Sequence, residues 1–176
     1  MTPRPPAAIP APGRRSNARG LFGAATQTLD DLFVHGLKTI YYAERQIAET
    51  LPKMIDMATD PTLRAGFEQH LAETRNQRVR LEQVFAQHGV EPDETTCRAI
   101  DGIIKAANAT AADIDDKQVL DAALAYGAQA VEHYEIAQYG TLIAWARELG
   151  REDCAAVLAE NLAEARINRA AQLQSA

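Results

Sequence analysis

Counting by threes and fours along residues 37–51 gives Leu37, Ile40, Glu44, Ile47 and Leu51, a carboxylate set in the middle of an apolar helical seam. The same count over 128–142 gives Ala128, Val131, Glu135, Gln138 and Leu142. A carboxylate in such a position is costly to bury unless it is paired, hydrogen-bonded or bound to a metal. Glu132, one turn before Glu135, lies toward the edge of its seam, and His133 points farther out. A third stretch offers His70, Glu73 and Gln77, spaced so that neighbours on one side of a helix can converge. A fourth offers Glu164, with Asn161 and Asn168 near it. One acid at mid-length on each of four helices, with a histidine nearby, is the plan of di-iron and di-manganese bundles. Oxygen and imidazole donors suit iron or manganese, with zinc as a common substitute.

Each of these residues also has a plainer reading. A seam glutamate can pair across to arginine, and Arg45, Arg75, Arg78, Arg166 and Arg169 are available. Glu73 and Glu164 sit on helix edges where water can solvate them, and His70 can be a satisfied core histidine. Tyr41, Tyr42, Tyr126, Tyr134 and Tyr139 read as packing residues with hydroxyls reaching water, or as hydrogen-bond donors to the inner acids. Cys97 and Cys154 read as small core residues; two cysteines make neither a disulfide framework nor a closed zinc site, and they fit a reducing, cytoplasmic setting. The chain holds no nucleophile triad, glycine-rich phosphate loop or CxxC motif, so no catalytic residue is assigned.

The elements that must carry these side chains are helices. The first spans about residues 29–58, with Thr28 or Asp30 as N-cap and Asp31 near the positive helix end. Pro52 should bend it, and Asp60-Pro61 ends it and starts the next. The second spans about 61–88 on the seam Leu63, Phe67, His70, Thr74, Gln77, Leu81, Val84 and Phe85, closed by Gly89. A shorter helix over about 96–107 would pack through Ala99, Ile100, Ile103 and Ile104. The third long helix covers about 116–149 and the fourth about 152–173. The fourth has an alanine-rich inner side of Ala155, Leu158, Leu162, Ala165 and Ala170. Two tightly turned helix pairs joined by a longer connection describe an all-α four-helix bundle with one crossover carrying a short extra helix.

Composition agrees. Of 176 residues, 47% are hydrophobic but only 6% aromatic, and alanine, the best helix former, supplies much of the apolar count. No run of 18 apolar residues is present, so no membrane span is expected. The net charge is −6, unevenly spread. Residues 1–20, with five prolines, four arginines and no acid, read as a disordered tail. Residues 21–176, read as the folded domain, carry all 24 acids against the remaining 14 basic residues. A body so acidic repels phosphate backbones, which argues against nucleic-acid binding by the fold.

The stretch DLFVHGLKTIYYAERQIAETLPKM at 31–54 resembles the opening of the YciE/YciF-type ferritin-like family of bacterial proteins. FEQHLAETRNQRVRLEQVF at 67–85, CRAIDGII at 97–104 and VEHYEIAQYGTLIAWARELG at 131–150 resemble it in the same order. The resemblance implies a ferritin-like bundle, a homodimer and a link to stress responses. It matches the family's inner acids to Glu44, Glu73, Glu132, Glu135 and Glu164, and its second-helix pattern to His70, Glu73, Thr74 and Gln77. The chain departs from the family pattern L-x-E-E-x-x-x-D: Ala165 stands for the second Glu and Arg169 for the Asp. If those positions are ligands, up to two are lost here, and Arg169 could instead neutralise the inner acids through a bidentate pair.

Two functional expectations follow. One is a stress-associated bundle binding iron or manganese at Glu44, His70, Glu73, Glu132, Glu135 and Glu164, a degenerate di-metal site. The other is a metal-free structural or interaction protein acting as a dimer. A tail-borne adaptor is a third, weaker expectation.

Overall fold

A computed structural model describes residues 26–174, with side chains to residue 170. The tail expected over 1–20 lies outside the described residues. Five helices follow in order: α1 (Leu29–Met57), α2 (Pro61–His88), α3 (Arg98–Ala112), α4 (Lys117–Glu148) and α5 (Glu152–Gln174). No strand occurs among the described residues.

Local chemistry sets the boundaries. Thr28 and Asp31 form a reciprocal capping box, the Thr28 hydroxyl accepting from Asp31 N at 3.0 Å and the Asp31 carboxylate from Thr28 N at 3.0 Å. Asp60 caps α2 ahead of Pro61, and Asp116 caps α4 through the amides of Gln118 and Val119. Gly89 and Gly150 take φ of 78° and 71°, the left-handed conformation that ends α2 and turns the chain into α5. α1 continues through Pro52, which lies on the water-facing side, so the carbonyl it leaves without a donor can turn to solvent.

α1 packs on α2, α2 on α5, α5 on α4 and α4 on α1, which closes a four-helix ring with α2 and α4 across from one another. α3, in the crossover, lies against α4 and touches α1. It runs farther than its apolar pattern suggested, because Asn108–Ala112 offers good helix formers and no breaker before Asp113. Its buried residues are Ile100 and Ala111; Ile103 and Ile104 are half-buried, and Ala99 faces water. The α2 seam is buried at all eight expected positions. On α5, Ala155, Leu158, Leu162 and Ala165 are buried while Ala170 is exposed. At Gly36 an added Cβ would stand 2.8 Å from Leu142 Cδ2, so a side chain there would push α1 off α4.

Asp121 on α4 fastens the α1–α2 turn. Its carboxylate accepts from Thr59 N at 2.8 Å, Thr59 Oγ1 at 2.6 Å and Asp60 N at 2.9 Å. Asp121→Ala is expected to lower stability by about 2–3 kcal/mol, since two backbone amides lose a charged acceptor. Urea unfolding read by circular dichroism measures this, and an unchanged midpoint would show that water replaces the carboxylate without loss.

Candidate metal centre

The centre forms where the polar middles of the seams meet. Glu44 from α1, His70 from α2, and Glu132 and Glu135 from α4 are all buried, at 0%, 1%, 0% and 0% exposure. His70 Nε2 lies 3.3 Å from Glu132 Oε1 and 3.8 Å from Glu135 Oε2. One donor atom each from His70, Glu132 and Glu135 falls within 4.8 Å of the others. Glu132 and Glu135, three residues apart, project from one side of α4, and α2 supplies the imidazole from across the bundle.

Burial sets the electrostatics. It pushes His70 down to about 4, so the ring is neutral and keeps a lone pair for a ligand bond. It pushes Glu44 up to about 7, against the lowering effect of hydrogen bonds from Tyr139 and from the Glu135 carboxyl. Glu135 is raised further, first by burial and then by the negative charges of Glu44 and Glu132. Burial and mutual repulsion thus favour the protonated form in this pair of facing carboxyls. The remaining protein satisfies them poorly: Glu44 Oε2, both Glu135 oxygens and both His70 nitrogens are buried without a hydrogen-bond partner among the other described residues. Buried polar atoms normally find partners, so unsatisfied acid and imidazole atoms converging on one place fit a cation.

A supporting layer orients the acids. The Tyr139 hydroxyl donates to Glu44 Oε1 and accepts from Asn161 Nδ2 at 3.1 Å. Asn161 also donates to the Gln77 carbonyl at 3.3 Å. Glu73, half-buried at the edge, accepts from Asn168 at 2.7 Å and Gln69 at 2.7 Å, and its charge raises Glu135 further. Tyr139 lies wholly in the core, so its hydroxyl reaches a carboxylate rather than water; Tyr126 is the exposed one.

Glu164 is held differently. Arg80 grips it with two bonds of 2.8 and 2.7 Å, and Gln77 Nε2 donates to it at 3.1 Å. Arg80 therefore performs the neutralisation that Arg166 and Arg169 were expected to offer. Arg166 is exposed, Arg169 Nε is buried without a partner, and neither forms an ion pair with an inner acid among the described residues. Arg80 was not among the arginines that the sequence suggested; it stands three residues beyond Gln77, on the flank of the α2 seam. Ala165, in place of the family's second acid, is wholly buried. Of the six residues expected, the fold brings four together, leaves Glu73 at the margin and ties Glu164 to Arg80.

None of the described helices is long and apolar enough to cross a membrane. Comparison with known proteins gives one consistent relationship. The family model described as a domain of unknown function, DUF892, matches residues 28–174. Protein YciF of Escherichia coli K12 is 38% identical over 139 residues, which is 78% of this chain and 84% of YciF. The crystal structure of the E. coli stress protein YciF superposes with a TM-score of 0.81 at 35% identity, covering 85% of this chain and 94% of that one. YcfI from Rhodopseudomonas palustris superposes with a TM-score of 0.86 at 52% identity, covering 89% and 99%. With a family model spanning nearly all the described residues and YciF matched over most of its length, the chain belongs to the DUF892 family of YciF-type helical bundle proteins.

Proposed function

We propose that the protein binds one iron or manganese ion in the bundle core, through His70, Glu132 and Glu135 with Glu44 adjoining, and serves metal handling under stress. The observation that supports this reading is the convergence of a neutral buried imidazole with the buried carboxyls of Glu132 and Glu135, where the His70 nitrogens and the Glu135 oxygens find no hydrogen-bond partner among the described residues. The donor set suits iron or manganese. A bound ion there would supply Lewis acidity and a one-electron couple. The chain's own residues do the rest: Tyr139 and Asn161 fix the orientation of Glu44, Asn168 and Gln69 hold Glu73 at the margin, and the core excludes bulk water. Glu164 is left out of this ligand set because Arg80 already occupies both its oxygens. This is fewer donors than two ions require, hence the single ion. The reading keeps the homodimer that the family resemblance implies and the cytoplasmic setting expected from the two cysteines.

A metal-free structural role is the second reading, favoured by the upward shifts of Glu44 and Glu135, since protonation removes a buried charge without an ion. Metal analysis of protein purified without chelator separates the two. Close to one equivalent supports the centre; less than roughly a tenth of an equivalent of iron, manganese and zinc together supports the metal-free bundle. Glu164→Gln is expected to leave metal content unchanged. A loss on that change would make Glu164 a ligand and the Arg80 pair a form the protein leaves on loading.

A further inference from the structure

Two adjoining cavities of about 30 Å³ and 20 Å³ lie between α1, α3 and α4. Thr50, Met54, Ile104 and Val131 line both, so the two share a wall. The outer one is also lined by Ala107, Asn108 and Ala123, all half-buried. The inner one is also lined by Ile47, Leu51, Ala128 and His70, all buried. The space is there because α3 approaches α4 on small residues. A Cβ on Gly127 would stand 2.8 Å from Ala107 Cβ, so the helices meet there, while the neighbouring alanines leave space unfilled.

We propose that the two cavities join into one passage, a binding site and entry route for a small neutral apolar molecule, of the size and polarity of dioxygen, reaching the His70 ring. The volumes admit something about as large as a water molecule or slightly larger. A buried water needs two to four polar partners. The inner cavity offers only the His70 ring and the Thr50 hydroxyl, which already donates to the Gln46 carbonyl at 2.8 Å. An ion or a hydrogen-bonding solute would shed its hydration against Ile47, Leu51 and Val131 with nothing to replace it. An apolar molecule sheds no such partners and gains contact with the apolar lining. The inner end is also chemically distinctive: both His70 nitrogens are buried without hydrogen-bond partners among the described residues. The proposal deepens the metal reading by naming what the centre would meet, yet it stands on the cavity and is tested on metal-free protein.

The test is methyl NMR of the full metal-free chain under dissolved oxygen, repeated under xenon. Oxygen-induced relaxation at the methyls of Ile47, Leu51, Ile104 and Val131 is expected to exceed that at the equally apolar core methyls of Leu81, Val84 and Leu158 by roughly threefold or more, with matching xenon shifts. Equal enhancement in both groups would overturn the proposal. Ala128→Leu should fill the inner cavity and abolish the excess. If that variant fails to fold, Ile104→Trp narrows the shared wall from the half-buried side of α3 and should do the same. Persistence of the excess in a folded, plugged variant would also overturn the proposal. Metal loading without the excess would sink the passage and spare the centre; the excess without metal loading would do the reverse.

Discussion

Glu135→Leu is expected to abolish iron or manganese loading while making the metal-free protein more stable. The two effects share one cause. Glu135 is wholly buried, faces Glu44 and Glu132, and receives no hydrogen bond from a neutral donor. Without an ion, its carboxyl is a burden that the fold bears by keeping it protonated. Leucine continues the apolar face of Val131, Leu142 and Ala128 on α4 and removes a buried carboxyl whose lack of partners costs about 1–3 kcal/mol. With an ion, the same carboxyl is one of three converging donors, and its loss should weaken binding by more than the roughly 10- to 100-fold typical of outer partners. Titration calorimetry with ferrous or manganous ion reads the first effect, and urea unfolding in chelator-treated buffer reads the second. Retained binding at near wild-type affinity would remove Glu135 from the centre. A metal-free variant less stable than wild type would mean that the carboxyl makes a structural contact more favourable than its charge is costly.

The second expectation concerns pH. Glu44, raised to about 7 from an ordinary value near 4.5, binds its proton more tightly in the folded state than in the unfolded chain. Such a group makes stability fall as pH rises between those two values. Glu135, raised in the same direction, adds to the fall. His70, lowered to about 4 from 6.5, acts oppositely: its folded form excludes a proton that the unfolded chain accepts, so it makes stability rise between about pH 4 and 6.5. The two influences oppose each other up to pH 6.5. Above that only the carboxyls remain, and the metal-free protein should lose stability from about pH 6.5 toward 8. Metal binding must displace the carboxyl proton, so affinity should climb through the same range by about tenfold per pH unit for each proton released. Added metal should then cancel the alkaline loss of stability, since a ligand at 1,000 times its dissociation constant contributes about 4 kcal/mol. Urea midpoints at pH 6, 7 and 8, with and without manganous ion, measure both. Glu44→Gln should flatten the metal-free profile. A wild-type profile that rises or stays level from 6.5 to 8 would show that these carboxyls are already ionised in the fold.

Helix number, order and turns were legible because their signals are local: the Thr28–Asp31 box, Asp60-Pro61 and the two left-handed glycines act within a few residues of themselves. The α2 seam, apolar at both ends and polar at His70, Thr74 and Gln77, was legible for the same reason, since a three-four repeat states which side faces inward whatever lies opposite. The positions of Glu44 and Glu135 inside the core came from that repeat as well.

Partnership was a different matter. Glu132 at the seam edge is as deeply buried as Glu135, because α1, α3 and α5 together close over a wider face of α4 than one seam marks. Tyr139 and Asn161 bond each other from α4 and α5, 22 residues apart in the chain. Arg80 and Glu164 meet across 84 residues, and no count along one helix identifies which arginine will reach which acid. The alanine-rich α5 leaves its own rotation unmarked, since alanine is tolerated on both sides of a helix. Periodicity in the chain is enough to say that a group turns inward. Which charge answers it, and whether a cation or a proton is needed to balance what remains, depends on distances between helices, and these arise only when the four are packed together.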